Sequence, residues 1–142
     1  MMEFGTETDG VLEPLQQRFN DLCQRMHPSA SAYRFLTRRS DTGAAHVECK
    51  DGVFYYVVTE RGSEFEREAF TDENDLLYKL VSEIAFWKAV DHELHNRVRG
   101  RDTRRIMFSK WVELMGKVSP EWGERTRREI EKILEKLSLI HI

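Results

Sequence analysis

Apolar residues in the first part of the chain return at steps of three and four: Val11, Leu12, Leu15, Phe19, Leu22, Cys23 and Met26. At 3.6 residues per turn that spacing draws one stripe down a helix. Pro14 falls early in the run, where a helix tolerates a residue without an N–H, and His27-Pro28-Ser29 ends it. The period then changes to two. Ala45, Val47 and Cys49 fall on one side of a strand, and His46, Glu48 and Lys50 on the other. Asp51-Gly52 follows, a pair that favours a two-residue hairpin turn because both of its residues take positive φ. Residues 53–59, Val-Phe-Tyr-Tyr-Val-Val-Thr, are β-branched or aromatic almost throughout and suit a strand covered on both faces or nearly so. A second turn at Glu60-Arg61-Gly62 leads into residues 64–70, and Tyr33 to Thr37 is a candidate for one more strand.

The rest reads as helix. Thr71 and Asp72 are N-capping residues for a helix with Leu76, Leu77, Leu80, Val81, Ile84, Trp87, Leu94 and Val98 on its buried side, stopped by Gly100. Asp102 caps the next, whose stripe is Met107, Trp111, Leu114, Met115 and Val118. Ser119-Pro120 supplies an N-cap and a first-turn proline for a last helix carrying Trp122, Ile130, Ile133, Leu134 and Leu137. The expectation is an α+β fold: an N-terminal helix, an antiparallel meander of three to four strands, then three helices packed on one face of the sheet. Its 142 residues suit a single domain spanning 1–142.

Composition narrows the function without supplying one. Lys and Arg total 22 against 25 Asp and Glu, for a net charge of −3, and this lacks the basic excess of a general nucleic-acid binder. Gly (8) and Pro (3) are too scarce for a disordered chain. No apolar run approaches the roughly 18–20 residues of a membrane span, and residues 1–7 lack the basic and apolar regions of a signal peptide. A cytoplasmic protein is expected. Cys23 and Cys49 fall in different elements and are read as free, buried thiols.

Three constellations are candidates for a site. His92 and His95 share a helical face with Asp91 and Glu93 beside them. The H-E-x-x-H spacing is absent, however, and no third ligand is placed, so a solvated helix face is the better reading and no metal is expected. Arg97, Arg99, Arg101, Arg104 and Arg105 gather around a helix break with only Asp102 opposing, a secondary basic patch that could bind phosphate or RNA and so make the chain a nucleic-acid-associated regulatory domain. Without an interleaved aromatic, local pairing is favoured over nucleic acid. The third is acidic. Glu64, Glu66 and Glu68 alternate along one strand. The hairpin register pairs Lys50 with Val53, Glu48 with Tyr55 and His46 with Val57. A third strand added edge-on would then line up its glutamates with His46, Glu48 and Tyr55 on the open face, which reads either as an ordinary solvated sheet face neutralised by Arg34 or Arg38 or as a docking site for a basic protein. No nucleophile elbow, phosphate loop or cysteine signature suggests an enzyme.

Tyr55-Tyr56-Val57-Val58-Thr59-Glu60-Arg61-Gly62 and Asp75-Leu76-Leu77-Tyr78 resemble the immunity-protein family 63 of bacterial polymorphic toxin systems. So do Glu93-Leu94-His95-Asn96-Arg97, Asp102-x-Arg104-Arg105, Glu113-Leu114, Ser119-Pro120-Glu121-Trp122 and Glu129-Ile130. The likeness covers residues 53–134 and rests on the order and spacing of short pieces. It leaves the N-terminal 40 residues outside, and the chain departs from the pattern at Arg99 and Arg101. The resemblance implies a small cytoplasmic protein that binds a cognate toxin domain and blocks it, with no cofactor and no chemistry of its own. An acidic face would suit such a partner if it is a basic, nucleic-acid-directed toxin.

Overall fold

Two left-handed dipeptides fold the middle of the chain back on itself: Asp51 and Gly52, with φ of 54° and 79°, and Arg61 and Gly62, with 52° and 83°. They join β1 (Thr42–Lys50), β2 (Val53–Glu60) and β3 (Ser63–Phe70) into an antiparallel sheet in the order β1-β2-β3. The first hairpin has the register that its turn demands: Lys50 faces Val53, Glu48 faces Tyr55 and His46 faces Val57. Before the sheet comes α1 (Phe4–Met26), and after it α2 (Glu73–His95), α3 (Thr103–Val118) and α4 (Pro120–Ile140), so the fold is α+β. The computed structural model describes residues 4–28, 32–97, 99–100 and 102–140, with the side chains of those between 10 and 137. Val98 and Arg101 therefore lie outside the described residues.

The described chain gathers into two compact units. The first takes α1 as far as Gln24, the sheet and α2 as far as Leu80; the second takes Arg25–Pro28 and the chain from Val81 onward. In the first, the α1 stripe is buried at Leu12, Leu15, Phe19 and Cys23, while Val11 at its margin is exposed. The helix begins earlier than its apolar stripe, so Pro14 lies inside it rather than in its first turn; the bond to the carbonyl of Gly10 is forgone.

Residues 33–37 do not form a fourth strand. Val47 N–H donates to the Leu36 carbonyl at 2.8 Å, and Leu36 and His46 make an isolated parallel bridge. Phe35 turns its backbone the other way. Its carbonyl accepts from Gln16 Nε2 at 2.7 Å, and its N–H donates to Gln16 Oε1 at 3.0 Å. A side chain of α1 thus takes the bonds that a neighbouring strand would have supplied. The Phe35 ring meets Phe19 edge-on, with centroids 5.4 Å apart.

The helix starts follow their caps. Asp72 Oδ1 accepts from Asn74 N–H at 2.8 Å, and Asp102 Oδ1 from Arg104 N–H at 3.0 Å. Ser119 serves two helices. Its N–H closes α3 on the Met115 carbonyl at 3.0 Å, and its carbonyl receives Gly123 N–H at 3.0 Å at the start of α4. In the second unit α3 and α4 approach so closely that a Cβ on Gly123 would stand 2.8 Å from Gly116 Cα. Leu114, Met115, Val118 and Ile130 are buried. Four more residues placed in the core by periodicity, besides Val11, are not: Trp87, Leu94, Ile133 and Leu134 are exposed. Nor does Gly100 stop α2, which ends at His95, where Asn96 N–H turns back to the Glu93 carbonyl at 3.2 Å. Among the described residues no helix is long and apolar enough to cross a membrane.

Candidate functional site

The three glutamates of β3 do not share a face. Val58 pairs with Glu66 and Tyr56 with Glu68, yet Thr59, one step on, pairs with Glu64. One position of β2 is thus matched by two of β3, and Phe65 is the surplus residue of a β-bulge. The bulge reverses the parity of the strand. Glu66 and Glu68 lie on the side of Ala45, Val47, Tyr56 and Val58, and only Glu64 lies with Glu48, Tyr55 and Val57. The expected single acidic row is corrected accordingly, because strict alternation fails where one residue drops out of the ladder.

Each face carries its own cation. Arg67, opposite Val57, donates Nε to Glu64 Oε1 at 3.0 Å and Nη1 to Glu48 Oε1 at 3.2 Å. Its guanidinium carbon lies 5.3 Å from the centre of the half-buried Tyr55 ring. A Glu64–Arg67 contact would be out of reach across a regular strand, whose residues three apart point to opposite sides; the bulge brings them together. On the other face Lys79 of α2 lies 3.3 Å from Glu66 and 3.3 Å from Glu68, with Nζ 4.7 Å from the Tyr56 ring centre.

The electrostatics follow. Burial raises the Glu48 carboxyl, but hydrogen bonds from His46 and Arg67 outweigh it and hold the group below the usual carboxylate range. The Arg67 hydrogen bond lowers Glu64 in the same way. Burial works against the charge on Lys79, and Glu66 and Glu68 together reverse that and raise its pKa. Both faces keep two carboxylates to one of these cations, so the acid is diluted rather than cancelled.

His46, expected on the open face, is only 2% exposed, and Val57 and Thr59 beside it are fully covered. The apolar run of β2 had indicated a strand covered on both sides, and the burial of β1 follows suit. His46 Nε2 lies 2.7 Å from Glu48 Oε2. Its Nδ1 and the hydroxyl of Thr59 are buried with no hydrogen-bond partner among the described residues. His46 thus positions Glu48 and does not meet solvent. What the sequence missed is Phe65, 67% exposed between Glu64 and Glu66 on an edge strand that is exposed along nearly its whole length. Its only signal was a phenylalanine within an acidic run.

The basic patch is partly engaged. Arg97 grips Glu93, Nε to Oε1 at 2.9 Å and Nη2 to Oε2 at 3.1 Å, one turn apart on the chain. Arg104 lies 3.5 Å from Asp102, the cap of its own helix. Arg99 is exposed, and Arg105 lines an open groove of about 710 Å³ with His92, Ser109, Lys110 and Glu113. Arg101 lies outside the described residues. The N–H of His95 Nδ1 bonds the Asp91 carbonyl at 2.8 Å. Among the described residues no three His, Cys, Asp or Glu side chains gather as metal ligands. Among the described residues neither cysteine is in a disulfide, and Cys23 is buried while Cys49 is only half-buried.

Set against known proteins, residues 50–132 match the family model described as Immunity protein 63. No curated protein and no solved structure matches the chain.

Proposed function

The chain belongs to the Immunity protein 63 family, and from that premise we propose that it neutralises a cognate toxin domain by binding it. It acts in the cytoplasm by occupying its partner and converts no substrate. The observation that carries this reading is the family match, which spans β2, β3, α2, α3 and most of α4.

The contact surface is the outer edge of β3 with the face behind it. Phe65 is its apolar anchor, and Glu64, Glu66 and Glu68 rim it, with Tyr55 one strand further in and Glu48 two. An exposed aromatic ringed by acids suits a partner whose pocket is apolar and edged with Lys or Arg. The free N–H and C=O groups of an edge strand offer the same partner backbone pairing. Excess carboxylate on both faces steers a basic partner toward it. The arginines are not the contact in this reading, since Arg97 and Arg104 already hold carboxylates of their own.

Co-expression with the toxin domain encoded immediately upstream, scored as cell survival, tests the proposal. Protection is expected from the natural chain and is lost when Glu64, Glu66 and Glu68 become Lys, with the circular dichroism spectrum unchanged. A natural chain that neither binds nor protects overturns the reading. A triple variant that protects fully moves the contact away from β3.

A further inference from the structure

From Leu76 to Val90 apolar residues occupy every side of α2, the pattern of a helix enclosed all round. One side is nevertheless open: Trp87 is 66% exposed and Leu94 57% exposed. At 3.6 residues per turn Leu94 lies about 20° around the helix from Trp87 and about 10 Å along it, with Asp91 between them about 40° from Trp87. Ile84 and Val90 flank this ridge, half-buried. A lone exposed apolar residue is ordinary; a tryptophan and a leucine on one helical line are a patch.

Trp87 is also braced on one side. Its ring packs edge-on against Phe86 at 5.3 Å, Phe86 packs on Trp111 at 5.1 Å, and Trp111 lies against Phe108 at 6.5 Å. Trp111 is fixed in turn by its indole N–H, which donates to the Ser82 carbonyl at 3.1 Å. The indole N–H of Trp87 has no partner among the described residues. A large ring with two side-chain torsions, braced on one side, loses less entropy when a partner covers it than a long flexible side chain does, the property that makes tryptophan an interface anchor.

We propose that the Trp87–Leu94 ridge of α2 is a second docking surface for the toxin domain, receiving an apolar groove with a cation beside it. The proposal rests on the toxin-binding reading above and adds a contact to it. Charge chooses the occupant. Asp91 is the charged group at the middle of the ridge, its side chain 73% exposed and 3.4 Å from His95. A two-fold pairing of α2 on a second copy, centred on the ridge, would set Asp91 against Asp91, because such an interface brings each residue near its own mate about the axis. A partner that carries Lys or Arg opposite Asp91 meets no such repulsion.

Calorimetric titration of the full chain with the upstream-encoded toxin domain tests this, using the natural protein, Trp87→Ala, Leu94→Ser and Lys88→Ala. Trp87→Ala is expected to weaken binding by about thirtyfold or more and Leu94→Ser by less, with Lys88→Ala near unity. Melting temperatures are expected to stay close to that of the natural chain, since the ridge is solvent-facing. Sedimentation of the toxin-free protein supplies the second measurement. Equal affinity of Trp87→Ala and the natural chain overturns the second surface and leaves the toxin-binding reading intact. Absence of binding by the natural chain overturns both. A dimer that Trp87→Ala splits into monomers assigns the ridge to a second copy and overturns the proposal.

Discussion

Gln16 closes both backbone hydrogen bonds of Phe35, receiving its N–H at 3.0 Å and donating to its carbonyl at 2.7 Å. A single carboxamide, almost wholly buried, therefore ties residues 33–37 to α1 while Leu36 ties the same segment to β1. Gln16→Leu keeps the volume and strands two buried backbone groups. The expected loss is roughly 2–4 kcal/mol, read by urea denaturation. Glu13→Ala, which removes the exposed partner of Arg34, is expected to move stability by less than about 0.5 kcal/mol.

Two glycines that touch should respond in opposite directions. A methyl on Gly123 meets the Gly116 backbone at 2.8 and 3.0 Å, whereas a methyl on Gly116 meets nothing within 4 Å. Gly123→Ala is expected to cost about 1–3 kcal/mol through a forced helix separation that outweighs its gain in helix propensity. Gly116→Ala is expected to stabilise by up to about 1 kcal/mol. Thermal melts of the two variants decide the matter, and equal signs would contradict the packing.

Thr59 offers a stabilising change. Its hydroxyl is buried without a partner among the described residues. Thr59→Val keeps the branched shape that β2 favours and removes the stranded oxygen, with an expected gain of about 1 kcal/mol in denaturation midpoint analysis.

The Arg67 cluster sets a pH dependence. Glu48 and Glu64 both titrate below their ordinary 4.5 in the folded chain. Their contribution is thus present above pH 4.5 and is lost as the pH falls through the lowered folded values. Arg67→Gln should melt below the natural chain at neutral pH, and the gap should close on acidification. Lys79, raised above 10.5, behaves in the opposite sense, its contribution fading as the pH climbs past that value. A gap that is constant from pH 7 to pH 3 would remove Arg67 from the account.

Features with local causes were legible in the sequence. Asp51-Gly52 fixed its turn and, with it, the pairing of Glu48 with Tyr55. Asp72, Asp102 and Ser119 capped the helices they were expected to cap. What escaped depends on the rest of the molecule. His46 alternates like an outward residue, and only the elements folded over β1 decide that it is buried. Periodicity reports that Trp87 and Leu94 are apolar and says nothing of whether anything covers them. The acidic row failed for a third reason: a bulge changes the backbone count without changing composition. Arg67, three residues from Glu64, was visible in the sequence, but its role as the neutralising cation depends on that bulge.

The bulge leaves Phe65 outside the ladder that holds β3 to β2. A side chain with no cross-strand mate is released from the sheet's demands, so exchanging it leaves register and neighbours as they were. In the toxin-binding reading proposed above, position 65 answers to the adversary alone, and there the scaffold can be re-addressed without being refolded.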